Sequence, residues 1–569
     1  MKYKAQAATY LSATFLIIMR AFIPVVLFSF CLSSAFGQTA MIKQGTVFER
    51  SGKNMFGDLH NVINGVLGEN GSAVIHVYDA QVQKVVRLDA NLVPAEELLL
   101  KDIPLDGLLY EGVTSLVVDG KLYCLLVAQG KKAASYAIAS VEGTGTPTLS
   151  GLRKIATSEL PYVNDPTNAL IFRPNPDPVL LSQGLKFAQT ERIIPSPDGQ
   201  HFLLNNYTND ARGYKQFWFA YVDKDFKELW SGTKELSLVD EKSRIHQISV
   251  SNDGTMHLLA YNFRCEMEEQ MRDKLCHELH FITLADQGKT ISDLLLEKDF
   301  VSSARFCERD SGRVTIAMRY GALTGQPGLV MTFDPLDPKL KTNPVVDQRA
   351  ASIHKTKLMA YGSIEAGAKK GGPVSRIAKV PDEIVDIQPS WNNGVVVVES
   401  FLDDALQIPM GEAIVMRRLA GDLRISQVAA NDSIQWQHIV ERAHMTTAGR
   451  SYEGVDVEVG KNGITLLYDH TPKGLDAIMI SGAKTHSEAT VGKGKDDKTT
   501  APAEAGVLKM IAIDPTGKVI NEGTAVLLPD GMMPCPLRNP TNGSKYLVKS
   551  FDRENKYQYT LVDLDLVGK

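Results

Sequence analysis

The densest run of ligand-type side chains in this chain is Cys276-His277-Glu278-Leu279-His280. Successive side chains of a strand alternate between faces, so Cys276, Glu278 and His280 would share one. A thiolate, a carboxylate and an imidazole on one face are donors that a transition metal takes. The same run also suits a surface strand of mixed polarity, and that is the expectation carried forward. Two adjacent carboxylate pairs, Asp403-Asp404 and Asp496-Asp497, could serve glycoside hydrolysis only with another acid facing them across a sugar. Neighbouring strand residues point to opposite faces, so both pairs are expected to be solvated turn or loop charges. Phe217-Trp-Phe-Ala-Tyr221 and Trp230 could stack on a sugar. In a strand, Phe217, Phe219 and Tyr221 would share one face and Trp218 the other, and packing of both faces is the expected role.

Sequence motifs for catalysis are missing. The nucleophile elbow G-x-S-x-G does not occur. Neither do H-E-x-x-H, the P-loop or the EF-hand loop. The sialidase Asp-box is not matched, because Ser196-Pro-Asp-Gly199 places its glycine directly after the aspartate and no tryptophan follows. No residue is therefore assigned a catalytic or metal-binding role, and no cofactor is expected.

The elements that would position any such group are short strands joined by glycine turns. Arg192-Ile-Ile-Pro-Ser-Pro-Asp-Gly199 runs into His201-Phe-Leu-Leu-Asn-Asn-Tyr207. His246-Gln-Ile-Ser-Val-Ser-Asn-Asp-Gly254 runs into Met256-His-Leu-Leu-Ala-Tyr261, and Val455-Asp-Val-Glu-Val-Gly-Lys-Asn-Gly463 into Ile464-Thr-Leu-Leu-Tyr468. Weaker copies turn at Asn70-Gly71, Asp119-Gly120, Ser311-Gly312, Asn393-Gly394 and Asn542-Gly543. Asn-Gly and Asp-Gly suit a type I′ turn, which needs positive φ at both central residues. A lone hairpin is marginal in water, so each copy needs neighbours. The copies recur every ~50 to 80 residues, and the shortest spacing approaches that of a four-stranded propeller blade. Leu508-Lys-Met-Ile-Ala-Ile-Asp-Pro-Thr-Gly517 supplies a third strand and second turn of one unit. No long stretch keeps a helical period; Leu98 to Leu100 and Glu266 to Leu275 could each carry a short helix or turn.

The fold expected is all-β: a single propeller of seven or eight four-stranded blades spanning residues 38–569. The last unit lacks an outer strand, which Gly45-Thr-Val-Phe-Glu49 could supply, closing the ring by pairing N- and C-terminal strands. Polar or Pro-rich loop insertions are expected near 161–178, 362–373 and 487–506.

Composition bounds the function. The chain has 569 residues, 44% hydrophobic and 22% charged, with a net charge of −5. Its pI is near 6.2 and its mean hydropathy −0.10. A mildly acidic chain offers no electrostatic case for nucleic acid. Residues 21–36 form an apolar run interrupted by Pro24 and followed by small residues, with a cleavage pattern ending at Gly37. This predicts a secretory signal over residues 1–37, with Met19 a possible functional start and no membrane span after cleavage. Phe28-Ser29-Phe30 before Cys31 does not offer the small residue a lipoprotein site needs. The mature chain keeps an odd set of cysteines, Cys124, Cys265, Cys276, Cys307 and Cys535. Cys265 and Cys276 could pair if the stretch between them caps a hairpin.

Ile194-Pro-Ser-Pro-Asp-Gly-Gln-His-Phe-Leu-Leu204 resembles the S-P-D-G repeat of TolB-like and WD40-like β-propellers of bacterial envelopes. Ser251-Asn-Asp-Gly254 is a looser copy. The leader's Phe36-Gly37-Gln38 end resembles those of Bacteroidetes exported proteins. The resemblance implies fold and compartment, periplasm or cell surface, and transfers no activity. The expected function is a non-catalytic exported propeller that binds an envelope protein or a glycan. The rivals are a carbohydrate-active or other hydrolytic enzyme with acids or His from several blades meeting at the channel mouth, and a component of an envelope secretion or motility assembly.

Overall fold

The computed structural model describes residues 41–49, 61–68, 71–79, 82–143, 145–162, 192–209, 214–239, 243–263, 277–297, 301–309, 312–320, 328–337, 340, 354–358, 383–410, 413–442, 444–447, 455–470, 507–527, 533–534, 545–551 and 556–563. The leader with Met19 and Cys31, the loops at 362–373 and 487–506, most of 161–178, Asp496-Asp497, the Asn542-Gly543 turn, Glu266 to Leu275, and Cys265, Cys276 and Cys535 lie outside the described residues.

Eight antiparallel sheets follow one another along the chain, each a meander in sequence order. Blade 1 is Asn61–Leu67, Ala73–Asp79, Val82–Leu88 and Pro94–Leu99. Blade 2 is Leu108–Val118, Lys121–Gln129, Ala134–Glu142 and Thr148–Ser158, with Ile103–Leu105 added beside its first strand. Blade 3 is Ile193–Pro195, His201–Asn209, Tyr214–Asp223 and Glu228–Val239; blade 4 is Ser243–Val250, Met256–Phe263, His277–Ala285 and Thr290–Glu297. Blade 5 is Val301–Glu308, Val314–Tyr320, Gly328–Phe333 and His354–Leu358; blade 6 is Glu383–Ser390, Gly394–Met410, Ala413–Val428 and Ile434–Val440, with His444–Thr447 on its third strand. Blade 7 is Val455–Gly460, Gly463–His470, Val507–Ile513 and Val519–Leu527. Blade 8 takes Met533–Pro534, Lys545–Phe551 and Lys556–Asp563 from the C-terminus and Met41–Gln44 from the N-terminus. The chain is an eight-bladed β-propeller.

The seam differs in detail from the expected one. The closing strand begins earlier, at Met41, pairing Met41 with Asp563 and Gln44 with Thr560. Gly45 interrupts it, and pairing resumes at Phe48 and Glu49. Leu98, read as a possible helix or turn, is in the fourth strand of blade 1. Asp403-Asp404 is also not a turn: it lies inside Gly394–Met410, where the register with the next strand shifts between Asp403 and Leu406.

In blades 1 to 7 the glycine turns fall where expected, between the first two strands, but mostly with another geometry. Both central residues are left-handed at Asp119-Gly120, φ 48° and 74°, as type I′ requires. At Ser196 to His201 and Ser251 to Thr255 only Gly199 and Gly254 are left-handed. Those loops close through Gly199 N–H to Ser196 O and Gly254 N–H to Ser251 O, the type I turn plus bulge of slightly longer hairpins. Dipeptide type alone does not fix loop length. Gly254 has a second constraint: a Cβ there would lie 2.7 Å from the Trp230 ring at φ +85°. Gly254→Ala is expected to cost about 1–3 kcal/mol, read as a lower urea midpoint.

The core is a ring of clusters between successive blades. Trp218 and Phe202 of blade 3 pack with Tyr136 and Ile138 of blade 2, with Trp218 stacked on Tyr136 at 5.2 Å. Phe217, Phe219 and Tyr221 face blade 4. The aromatic strand therefore packs both its faces, as its alternation predicts. Blades 4 and 5 meet through Phe281, Phe306 and Phe333, and blades 6 and 7 through Val398, Ile425, Leu466 and Ile511.

The first strands form the inner edge. They are the strands that approach one another across neighbouring blades, as in blades 1 and 2, 5 and 6, and 6 and 7. Pro195, Pro389 and Pro534 all sit in first strands, where a missing N–H costs no ladder bond. Five first strands share a bulge against the second strand, at Ile63, Val113, His246, Ser302 and Val385. The residue after each bulge is polar: Asn64, Thr114, Gln247, Ser303 and Asp386. A bulge re-aims side chains, and three of these, Asn64, Gln247 and Ser303, cross to the next blade. Asn64 Nδ2 donates to Ser115 O at 3.3 Å. Gln247 gives Nε2 to Phe306 O and accepts Phe306 N–H, at 2.8 and 3.0 Å. Ser303 Oγ accepts Ile384 N–H at 2.9 Å. These side-chain amides and hydroxyls bind neighbouring blades along the channel wall.

Candidate functional site

Outside blade 2, the first strands pair on one side only, so their remaining amides face the free inner edge. Three of these amides are bonded by the side chain just before them. Gly65 N–H donates to Asn64 Oδ1 at 3.0 Å, Ile387 N–H to Asp386 Oδ1 at 2.8 Å, and Val457 N–H to Asp456 Oδ1 at 3.0 Å. Asn64, Asp386 and Asp456 thus curl over the inner edge of blades 1, 6 and 7.

Asp386 and Asp456 occupy matching places on adjacent first strands, each four residues before the strand's last residue. Gln388 joins the two strands. Its Nε2 donates to Asp386 Oδ2 at 2.7 Å and to Val457 O at 2.8 Å. Asp456 is half-buried, its Oδ2 is enclosed, and among the described residues no hydrogen-bond donor reaches that oxygen. Burial first, and the charge of Asp386 second, push the Asp456 carboxyl up to about 7, against the pull of the Val457 amide; Glu458 adds a smaller upward push. Burial and a neighbouring acid both disfavour the ionised form of a carboxyl.

The same blades are braced by buried ion pairs. Arg309, at the end of blade 5's first strand, meets Asp432 of blade 6 at 2.8 Å. Arg442 gives Nε and Nη2 to Asp469 Oδ1 of blade 7 at 3.0 and 2.7 Å. Glu399 lies between Arg424, at 2.7 Å, and Arg319 of blade 5. The carboxyl pair therefore stands on a stiff frame.

Two other clusters have chemical potential. At the turn end of blades 4 and 5, Ser251 Oγ donates to Glu308 Oε2 at 2.5 Å, and His257 Nε2 stands 3.9 Å from that oxygen. Burial lowers His257 to about 4 and raises Glu308 above the usual carboxylate range. Ser251 gives its proton to a carboxyl rather than to an imidazole, so this cluster lacks the base geometry of an activated nucleophile. His280, from the ligand-type run, has Nδ1 2.9 Å from Asp293 Oδ1 and Nε2 3.4 Å from Glu278 Oε2. Burial pulls its titration down, but the hydrogen bonds and charges of Asp293 and Glu278 outweigh this and raise it. Both ring nitrogens lie beside carboxylate oxygens, which favours the protonated ring. Glu278 is buried facing blade 3, so the run is not the open surface strand expected. Of the remaining cysteines, Cys124 and Cys307 are buried free thiols.

Asp386 and Asp456 were missed in the sequence because no contiguous motif contains both. A usable signal existed. Aligned on their turns, Val385-Asp-Ile-Gln388 and Val455-Asp-Val-Glu458 put an acid at the same place in two apolar strands.

No family model matches the chain, and no curated protein does. Solved structures align over most of it. Prolyl oligopeptidase B from Galerina marginata, as the apo protein, is 10% identical with a TM-score of 0.35; the match covers 91% of this chain and 56% of that one. This chain therefore spans a little over half of that enzyme. A protein from Lactobacillus plantarum is 12% identical at a TM-score of 0.31, over 82% of this chain and 96% of that one. Drosophila Plexin A, in complex with Semaphorin 1b, is 10% identical at 0.29, over 93% and 88%.

Proposed function

We propose that this chain is an exported, non-catalytic β-propeller of the TolB-like and WD40-like kind, which docks a protein partner in the periplasm or at the cell surface. The apolar run before Gly37 and the Ser196-Pro-Asp-Gly199 turn support the compartment and the kinship. The observation that carries docking is the Asp386–Asp456 pair, pinned by backbone amides on the inner edge of braced blades. A preorganised pair of acids loses little on binding and steers cationic groups toward it. The net charge of −5 adds to that field.

The test is retention of partners from a native envelope extract on immobilised full chain, beside an Asp386→Asn/Asp456→Asn variant. A partner held by the native chain in low salt and lost at least tenfold by the variant is expected. The hydrolytic reading has one observation in its favour, the Asp456 carboxyl held near neutrality beside a second acid. Recovery of the chain alone, with release of products from an envelope glycan or peptide that the double variant does not release, would replace docking with hydrolysis.

A further inference from the structure

Resting on the reading of this chain as exported, we propose that Asn431 is an acceptor site for an N-linked glycan. Asn-x-Ser/Thr triplets without a central proline begin at Asn70, Asn206, Asn431 and Asn542. A triplet alone is a weak signal, and an exposed loop is the setting that gives it meaning. Asn70 and Asn542 lie outside the described residues. Asn206 and Asn431 can be compared directly. Asn206 is wholly buried in the second strand of blade 3. Its Nδ2 donates to Leu160 O and Pro161 O at 3.5 and 3.1 Å. The nitrogen that would take the sugar is enclosed and committed, so the folded chain withholds this triplet.

Asn431 is the opposite case. It stands exposed in the turn between the last two strands of blade 6, with Ser433 exposed beside it. Ser433 gives its N–H and its hydroxyl to Asn431 Oδ1, at 3.2 and 2.7 Å. The hydroxyl that completes the triplet therefore already holds the acceptor's side chain, and no described residue accepts a hydrogen bond from Asn431 Nδ2. The turn beneath is fixed. Ala429 N–H donates to Ser433 O and Asp432 N–H to Ala429 O, both at 2.9 Å. Asp432 takes a left-handed φ of 63° and is buried against Arg309 at 2.8 Å. The middle residue of the triplet anchors the turn, and the two that a transferase reads stand outside.

An amide nitrogen is a weak nucleophile, because its electron pair is shared with the carbonyl. Donors on Oδ1 polarise the group and make its N–H protons easier to lose. The co-reactant is a sugar carried on a lipid pyrophosphate. Asn431 Nδ2 forms a bond to the anomeric carbon, and the bond from that carbon to the pyrophosphate oxygen breaks. The lipid pyrophosphate leaves with the electron pair, and one Nδ2 proton passes to a base of the transferase. The product keeps the Asn431 carbonyl, so Ser433 still has its acceptor and the turn stays closed.

The experiment is peptide mapping by mass spectrometry of the full chain recovered from its native envelope, before and after an amidase that removes N-linked glycans and leaves aspartate at the acceptor. The peptide holding Asn431 should carry a glycan in the native chain and an aspartate in place of Asn431 after treatment, while Asn206 stays bare. Asn431→Gln and Ser433→Ala should each lose the glycan. Ser433→Thr should keep it, which separates reading of the hydroxyl from damage to the turn. A bare Asn431 in a chain that begins at Gln38 overturns the site and leaves export standing. A bare Asn431 in a chain that retains residues 1–37 overturns both. A glycan that persists in Asn431→Gln and is released from Ser433 by alkali overturns the N-linkage.

Discussion

Replacing Arg309 with methionine is expected to lower the unfolding free energy by about 3–5 kcal/mol, the larger part arising from the partners left behind. Arg309 is almost wholly buried, and its donors are spread over two blades. Nε bonds Thr315 Oγ1 at 2.6 Å and Nη2 bonds Thr332 Oγ1 at 3.1 Å, both within blade 5. Nη2 also meets Asp432, and Nη1 reaches Asn393 O at 3.2 Å and Ala430 O at 3.4 Å. Asn393 belongs to the turn between the first two strands of blade 6, while Ala430 and Asp432 belong to the turn between its last two. One guanidinium in blade 5 therefore holds both turns of the next blade. Methionine fills much of the volume and supplies none of the donors, removing the Arg309 charge from the Asp432 carboxylate in a buried site. Adding Asp432→Asn removes the carboxylate charge and should recover a substantial fraction of the loss, the non-additivity that marks a coupled pair. Urea midpoints of the two single variants and the double variant measure it. A double variant as weak as the sum of the singles would mean that the pair is not coupled.

Much of this frame was legible in the sequence. Seven of the glycine turns named there are the turns between first and second strands, because alternating apolar residues around an Asp-Gly or Asn-Gly report a hairpin locally. Trp218 and its neighbours alternated between two packed faces as their strand period requires. The type I′ assignment failed at Gly199 and Gly254, where one residue more in the loop moves the left-handed position onto glycine alone. The site was less legible. Asp386 and Asp456 become a pair only when closure of the ring sets two first strands side by side, and no local pattern encodes that approach. Arg309 and Asp432 were invisible for the same reason. The His280 run drew attention by its density, yet its neighbour Asp293 arrives from the next strand and occupies the nitrogen a metal would need.

The other large effect is expected at the seam. Gly45 is bonded on both sides of the join: its N–H donates to Tyr559 O of blade 8 at 2.8 Å, and Gln558 Nε2 donates to its carbonyl at 2.8 Å. The next amide, of Thr46, donates to Asn91 O of blade 1 at 2.9 Å. A Cβ at residue 45 would stand 2.6 Å from Leu92 Cβ, 2.7 Å from Asn91 O and 2.8 Å from Tyr559 O. Two of these are backbone atoms that cannot yield without moving a blade. Gly45→Val should therefore cost about 3 kcal/mol or more and act mainly by releasing the closing strand. Release frees the edge of blade 8 and unties the first blade from the last, so self-association should accompany the lower melting temperature. Gly145→Ala is the matched control, since a Cβ there meets nothing within 4 Å. Protease should cut Gly45→Val early near its N-terminus and spare the control. If the two variants melted together, packing between blades alone would hold the ring, and the strand join would contribute nothing measurable.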